Sequence, residues 1–220
     1  SVNEVKSSLA FATSALREAN NSKEVIQEVK KRTKLKIEII DGRKEAKIIS
    51  LNNIFEFINK NRTFIYVDVG GGSTEFSVIV NGKRIKSKSF KIGTVRMINK
   101  MVSESVWEQI RIWIKKNVHH HSKVALIGSG GNINKIFKLA GVLEPRPLSL
   151  IKLNSIYNSL IKMTNEERII NLDLNPDRSD VIIPAAQIFL KTLEWSRSTE
   201  IYVPKAGLAD GMVRLLYEKE

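Results

Sequence analysis

Residues 68–75 read Asp-Val-Gly-Gly-Gly-Ser-Thr-Glu, and they constrain the chain more than any other stretch. Phe64, Ile65, Tyr66 and Val67 precede them as a short apolar run of the kind that forms a buried strand. Glu75, Phe76, Ser77, Val78, Ile79 and Val80 follow with the alternation of a second strand. Asn81-Gly82 is a type I′ hairpin signal, and residues 84–90 return as a third strand. The three glycines therefore form a tight loop between antiparallel strands, with Asp68 and Glu75 at its rims. Residues without Cβ permit positive φ and close approach of a ligand. Backbone amides in such a loop can cradle an anion, and Ser73 and Thr74 add hydroxyls. The carboxylates of Asp68 and Glu75 suit Mg²⁺, a hard cation that bridges phosphates. A glycine-rich turn with exposed acids is the competing reading of these residues alone.

Composition narrows the class. The chain has 220 residues, enough for one large domain or two small ones. Cysteine is absent, which excludes a disulfide framework, a thiolate zinc site and a cysteine nucleophile. That absence fits a reducing compartment, and a cytoplasmic location is the expectation. No apolar run approaches membrane-spanning length, so no membrane partner is expected. The net charge of +13 favours polyanionic partners. The cations are dispersed, as in Lys30-Lys31-Arg32, Lys83-Arg84 and Lys115-Lys116, and lack an RNA-binding aromatic signature. No specific nucleic acid is therefore expected, and a solvated basic surface explains the charge equally well.

Residues 8–12 read as a strand running into a helix over 15–19, with Thr13 and Ser14 as cap candidates. A helix start beside a strand end is a phosphate site, to which Arg17 can add a bidentate contact. Asn21 and Glu24 have capping-box spacing ahead of a helix over 23–33, with Val25, Ile26 and Val29 on its apolar side. A strand over 35–39, a turn at Asp41-Gly42 and a helix over 43–51 follow, with Glu45 in that helix's first turn. Residues 55–62 read as a polar connection. Ser103 or Ser105 caps a helix that carries Trp107 and Trp113 and closes on His119, His120 and His121. Adjacent histidines do not share a helix face, so dipole partners explain them better than metal ligands.

Residues 123–127 form a buried strand ending in Gly128-Ser129-Gly130-Gly131-Asn132, with a helix over 133–140. This is a second candidate phosphate cradle. It is neither a dinucleotide fingerprint nor a Walker A loop. Helices are expected over 154–163 and 165–172, with a turn at Asn175-Pro176-Asp177. A long apolar helix over 181–195, a strand over 200–203, and a helix over 212–219 entered through residues 207–211 complete the chain. Strands alternating with helices indicate an α/β fold, whose ligands gather at the carboxyl ends of strands.

Seven stretches together resemble a known family. They are residues 12–20, 42–46, 68–75, 93–96, 128–131, 178–182 and 207–211, in family order across almost the whole chain. The chain is similar to the exopolyphosphatase / guanosine pentaphosphate phosphohydrolase family of the actin-like ATPase superfamily. The resemblance implies two actin-like (ribonuclease H-like) lobes with mixed sheets and the active site between them. The first lobe, residues 1–53 with the final helix 207–220 near it, is expected to be incomplete; the second spans 54–206. The resemblance implies Mg²⁺-dependent hydrolysis of terminal phosphoanhydride bonds in polyphosphate or guanosine pentaphosphate. Glu45 matches the catalytic base, and Asp68 and Glu75 match the acidic pair that supports the metal and orients water. Gly70, Gly71, Gly72, Ser73 and Thr74 match the phosphate loop. Thr13, Ser14, Arg17 and Asn20 match phosphate contacts from the other lobe, and Gly130 and Gly131 belong with the second cradle. The family is often dimeric, so a homodimer is among the implied partners.

Two departures stand out. The family opens with a further Asp-x-Gly-Ser-Asn-Ser loop that nothing here matches, so the chain is expected to be part of a longer protein and inactive alone. Arg43 and Lys44 stand before Glu45 where the family is richer in glutamate. A non-catalytic module that senses polyphosphate or a nucleotide is the competing function.

Overall fold

The computed structural model describes residues 5, 7–49, 62–121, 123–204 and 208–218, the side chains of Arg43, Ala46 and Ile49 excepted. The expected connection over 55–61, the end of the helix expected to reach Leu51, and Gly207 lie outside the described residues. The chain divides into two units, residues 1–53 with 206–220, and residues 54–205.

In the first unit, β1 (Ala10–Ala12) and β2 (Ile37–Ile39) pair in parallel. Helix α1 (Ser14–Glu18) starts directly after β1, and α3 (Gly42–Ile49) starts shortly after β2. Parallel pairing therefore puts both helix starts at one edge of the strand pair. The Ile40 amide donates to the Ala12 carbonyl (2.9 Å), and the Arg17 guanidinium donates to the Ile40 carbonyl (2.7 Å). Helix α2 (Ser22–Thr33) follows Asn21, whose side chain makes no cap bond, so the expected capping box does not form. None of its residues is fully buried. The last helix, α11 (Leu208–Tyr217), starts four residues before the expected 212. Gly211 is thus inside a helix rather than in its approach. It packs on α3, where a Cβ would stand 2.1 Å from the Ile48 carbonyl oxygen, so only glycine lets the helices close.

The second unit is built on a six-stranded sheet. The strands are β3 (Thr63–Val69), β4 (Thr74–Val80), β5 (Lys83–Phe90), β6 (Val124–Ser129), β7 (Leu148–Ser149) and β8 (Glu200–Tyr202). Their order is β5-β4-β3-β6-β8-β7, with β3, β6 and β8 parallel and the rest antiparallel. Asn81 and Gly82 have φ of 51° and 74°, as a type I′ turn requires. Alternation along β3 and β4 sends Ile65, Val67, Val69, Phe76 and Val78 into one core. Phe64, Tyr66, Asp68, Glu75, Ser77 and Ile79 take the other face.

The core side is covered by helices. Helix α5 (Glu104–Val118) contributes Ile110 and Ile114, and α6 (Gly131–Leu139) contributes Ile133 and Ile136. Helix α10 (Ile182–Ser196) buries Ile182, Ala185, Ala186, Ile188, Phe189 and Leu193, as a helix apolar on nearly every side must. Its buried hydroxyls bond back along the helix, Thr192 to Ile188 (2.8 Å) and Ser196 to Thr192 (2.7 Å). Phe76, Phe90 and Trp113 meet edge to face or tilted at 5.7–6.2 Å.

The periphery differs from expectation in a few places. Helix α7 (Leu150–Leu160) begins at Ser149, which caps it by accepting from the Lys152 amide, four residues before the expected start. Helix α8 (Asn165–Leu172) matches its expected span and opens on a complete capping box between Thr164 and Glu167. The expected turn at Asn175-Pro176-Asp177 becomes the short helix α9 (Pro176–Ser179). Arg168 is buried there, and it donates to the carbonyls of Leu160, Met163 and Ser179 and to the Asn165 side chain at 2.6–3.0 Å. Use of four of its five donors makes a buried guanidinium tolerable. Among the described residues no helix is long and apolar enough to cross a membrane.

Candidate active site

The loop between β3 and β4 is held from one side. Helix α4 (Thr94–Ile98) starts beneath it. The Thr94 amide donates to the Gly70 carbonyl (3.0 Å), and the amides of Val95 and Arg96 donate to the Gly71 carbonyl (3.0 and 3.3 Å). The Arg96 guanidinium donates to the Gly72 carbonyl (2.6 Å). In a trans peptide the carbonyl and the next amide point to opposite sides. Three carbonyls turned toward α4 therefore turn the amides of Gly71, Gly72 and Ser73 away from it. Those three amides make no backbone hydrogen bond among the described residues. Outward amides in such a row have the geometry of an anion cradle.

One part of the expectation fails: none of Gly70, Gly71 and Gly72 has positive φ. Two of them give space, since a Cβ on Gly70 would stand 3.1 Å from the Ser73 carbonyl oxygen and one on Gly71 would press Val95 at 3.2 Å, and Gly93 gives more, because its Cβ would stand 2.4 Å from the Gly71 carbonyl oxygen. Positive φ occurs instead in the second cradle, at Gly130 (110°). A Cβ there would lie 3.3 Å from the Val69 carbonyl and 3.5 Å from the Asp68 carboxylate. The two glycine turns thus meet around Asp68.

Register sets the chemistry. Asp68 pairs with Glu75 across β3 and β4, with Ser129 across β3 and β6, and Glu75 pairs with Ser89 across β4 and β5. The four side chains form one polar row over four strands. Directly opposed side chains stand about 5 Å apart at Cβ. The hydroxyls of Ser73 and Ser89 both donate to Glu75 Oε1, at 2.7 and 2.9 Å, and so fix its carboxylate in place. Burial, then the charge of Glu75, push the Asp68 carboxyl up from 3.8 to about 7, and its hydrogen bond with Ser129 pulls the other way. Asp68 and Glu75 thus form an oxygen-only donor pair whose mutual repulsion a divalent cation would relieve, and they fit Mg²⁺. Among the described residues no third acid or imidazole joins them in a metal-binding cluster. The remaining positions of a cation would fall to phosphate and water, as Mg²⁺ usually has them.

Other expected residues sit as follows. Thr74 is buried and its hydroxyl is engaged with the Ile92 carbonyl (2.7 Å). Gly131 opens α6 and lies under the Arg178 guanidinium, which donates to its carbonyl at 3.3 Å. In the first unit, Thr13 stands at the start of α1 without a side-chain cap bond, Ser14 is buried, and Asn20 is exposed. Arg17 is committed to the Ile40 carbonyl. Glu45 is buried in the first turn of α3, where Asp41 caps the Lys44 amide (2.7 Å). Lys44 is ion-paired with Glu38.

Ser89 and Ser129 as carboxylate partners, and Arg96 as a loop anchor, were not singled out from sequence. Ser129 was recoverable, because a parallel strand ending level with Asp68 must place one residue beside it.

Comparison with known proteins shows the family and the fold. Residues 2–220 match the Ppx/GppA phosphatase family. The chain is similar to the bifunctional 3-dehydroquinate synthase/phosphatase of Fusobacterium nucleatum, at 32% identity over 87% of this chain and 32% of that protein. It is similar to Exopolyphosphatase 1 of Mycobacterium leprae, at 24% identity over 82% of this chain and 59% of that one. The chain therefore spans between a third and three fifths of the length of these relatives. In structure it resembles a crystallised exopolyphosphatase from Cytophaga hutchinsonii with a TM-score of 0.80, at 21% identity over 96% of this chain and 75% of that one. That likeness establishes a fold of the actin-like type with mixed sheets.

Proposed function

The chain belongs to the Ppx/GppA phosphatase family, and we propose that it is part of a hydrolase releasing orthophosphate from the ends of inorganic polyphosphate. The observation that carries this reading is the facing pair Asp68 and Glu75 beside the outward amides of Gly71, Gly72 and Ser73. A phosphoryl group has charge on three oxygens and needs placement and neutralisation more than covalent help. The loop amides hold the terminal phosphate. Glu75, fixed by Ser73 and Ser89, and Asp68 beside Gly130 would hold a metal ion and orient the attacking water. When bound there, Mg²⁺ supplies charge neutralisation on the phosphate oxygens. Glu45 takes the proton as water oxygen bonds to the terminal phosphorus and the P–O bond to the bridging oxygen breaks. The bridging oxygen leaves on the shortened chain, and orthophosphate is the second product.

The experiment is phosphate release by the natural-length protein, with Mg²⁺, from long-chain polyphosphate and from guanosine pentaphosphate in parallel. Release from polyphosphate is expected. Release from guanosine pentaphosphate alone would move the assignment to that substrate. Binding of either without release would replace the enzyme by a sensor.

A further inference from the structure

A basic recess lies at the opposite end of the sheet from the glycine loops. A cavity of about 670 Å³ opens where α5 and α10 end and β6 begins. That volume falls within the range of small-molecule sites. Its lining includes Lys115, Lys116, His119, His121, Trp195 and Arg197, and no acidic residue. The cations come from three places: the last turn of α5, the segment after it, and the cap of α10. Among the described residues no carboxylate forms an ion pair with Lys115, Lys116 or Arg197. Val124, the first residue of β6, also lines the cavity, whereas Ser129 at the other end of that strand is level with Asp68. The strand separates the two places by about 17 Å.

The competing explanation is that these cations only balance two helix ends. His119 Nδ1 indeed lies 3.0 Å from the Lys115 carbonyl oxygen. Two helix C-termini carry about half a negative charge each, or about one in all. Three basic side chains exceed that, even with the charge of Glu108, which acts on Lys115, set against them. A single bound phosphate would meet only part of such a spread set. A linear anion with several phosphates meets all of it, and each charge-assisted contact strengthens in a recess.

We propose that this cavity binds an inorganic oligophosphate, at a site separate from the glycine loops. Trp195 provides the readout, being half-buried in the cavity wall with its ring 5.9 Å from that of Trp107. The test is titration of the full chain with sodium tripolyphosphate in the presence of a chelator, followed by tryptophan fluorescence and calorimetry. A saturable fluorescence change that disappears in Trp195→Phe is expected. The double variant Lys116→Gln/Arg197→Gly should weaken that event at least tenfold. Arg197 has φ of 55°, so glycine there removes charge while easing the backbone. Asp68→Asn should leave the Trp195 signal unchanged. Unchanged affinity in the double variant, or in Lys115→Gln/Lys116→Gln should the first variant misfold by circular dichroism, would overturn the site. Non-saturating binding, or tighter binding of a single-stranded oligonucleotide of equal charge at the same salt, would overturn it too. The titration reads binding without turnover, so its result is independent of whether the protein hydrolyses polyphosphate.

Discussion

Asp68 sits in a conflict that the rest of the site maintains. It is covered by the sheet and the second glycine turn, and it faces the charge of Glu75. With its carboxyl raised to about 7, the native state keeps the proton over a pH range in which the unfolded chain, titrating near 3.8, has released it. A raised acid stabilises the fold fully below the unfolded value, and that contribution is lost as pH rises toward the folded one. Without divalent cations, unfolding free energy should therefore fall between pH 4 and 7 and level off above. At about 1.4 kcal/mol per pH unit, the gap bounds the effect at about 4 kcal/mol. Asp68→Asn should match the wild type near pH 4 and exceed it at pH 8, as urea unfolding at both pH values will show. A pH-independent difference would place the strain elsewhere. Two acidic residues flanking three glycines were legible in the sequence. The conflict between them was not, because it depends on burial and register.

At the scale of elements, one irregularity explains what sequence reading could not reach. Counting back from the Asn81-Gly82 turn pairs Val80 with Lys83 and would bring Lys88 opposite Glu75. A register shift between Val78 and Ile79 moves the pairing by one, so Ser89 stands there instead. A one-residue slip reverses the face of every side chain beyond it. Glu75 consequently meets a hydroxyl donor, and Lys88 turns to the Phe90 ring. The helix ends tell a similar story. The capping box at Thr164 was hidden in a helix whose span was read correctly, while the one expected at Asn21 does not form. The seat of the glycine loop on α4 was also invisible, because all its acceptors are backbone carbonyls and most of its donors are backbone amides. It makes a prediction. Gly93 is extended (φ −158°), so an added methyl strains nothing locally, yet it would collide with the Gly71 carbonyl. Gly93→Ala should cost about 1–3 kcal/mol of unfolding free energy and lower phosphate release more than it lowers stability, measured side by side.

For the whole molecule, each unit presents its expected phosphate-handling residues at the carboxyl ends of parallel strands. In the second unit these are Asp68, near the end of β3, and Gly130, just after β6. In the first they are Ser14 and Glu45, after β1 and β2. The α/β alternation made that arrangement legible, since ligands of such folds gather at strand ends. Local contacts in the first unit were harder to read: Arg17 gives one of its donors to the Ile40 carbonyl, a contact that spacing does not announce. Basic charge was legible as a total of +13, and only the fold collects part of it into one cavity. The central claim is that Glu45 activates water for a phosphate held by the loops around Asp68 and Glu75. Its most direct test is phosphate release from polyphosphate by the natural-length protein and its Glu45→Gln variant, with polyphosphate binding measured on both. The account predicts a loss of release of at least about a hundredfold with binding retained, the scale of a general base. Release by Glu45→Gln at the wild-type rate would contradict it.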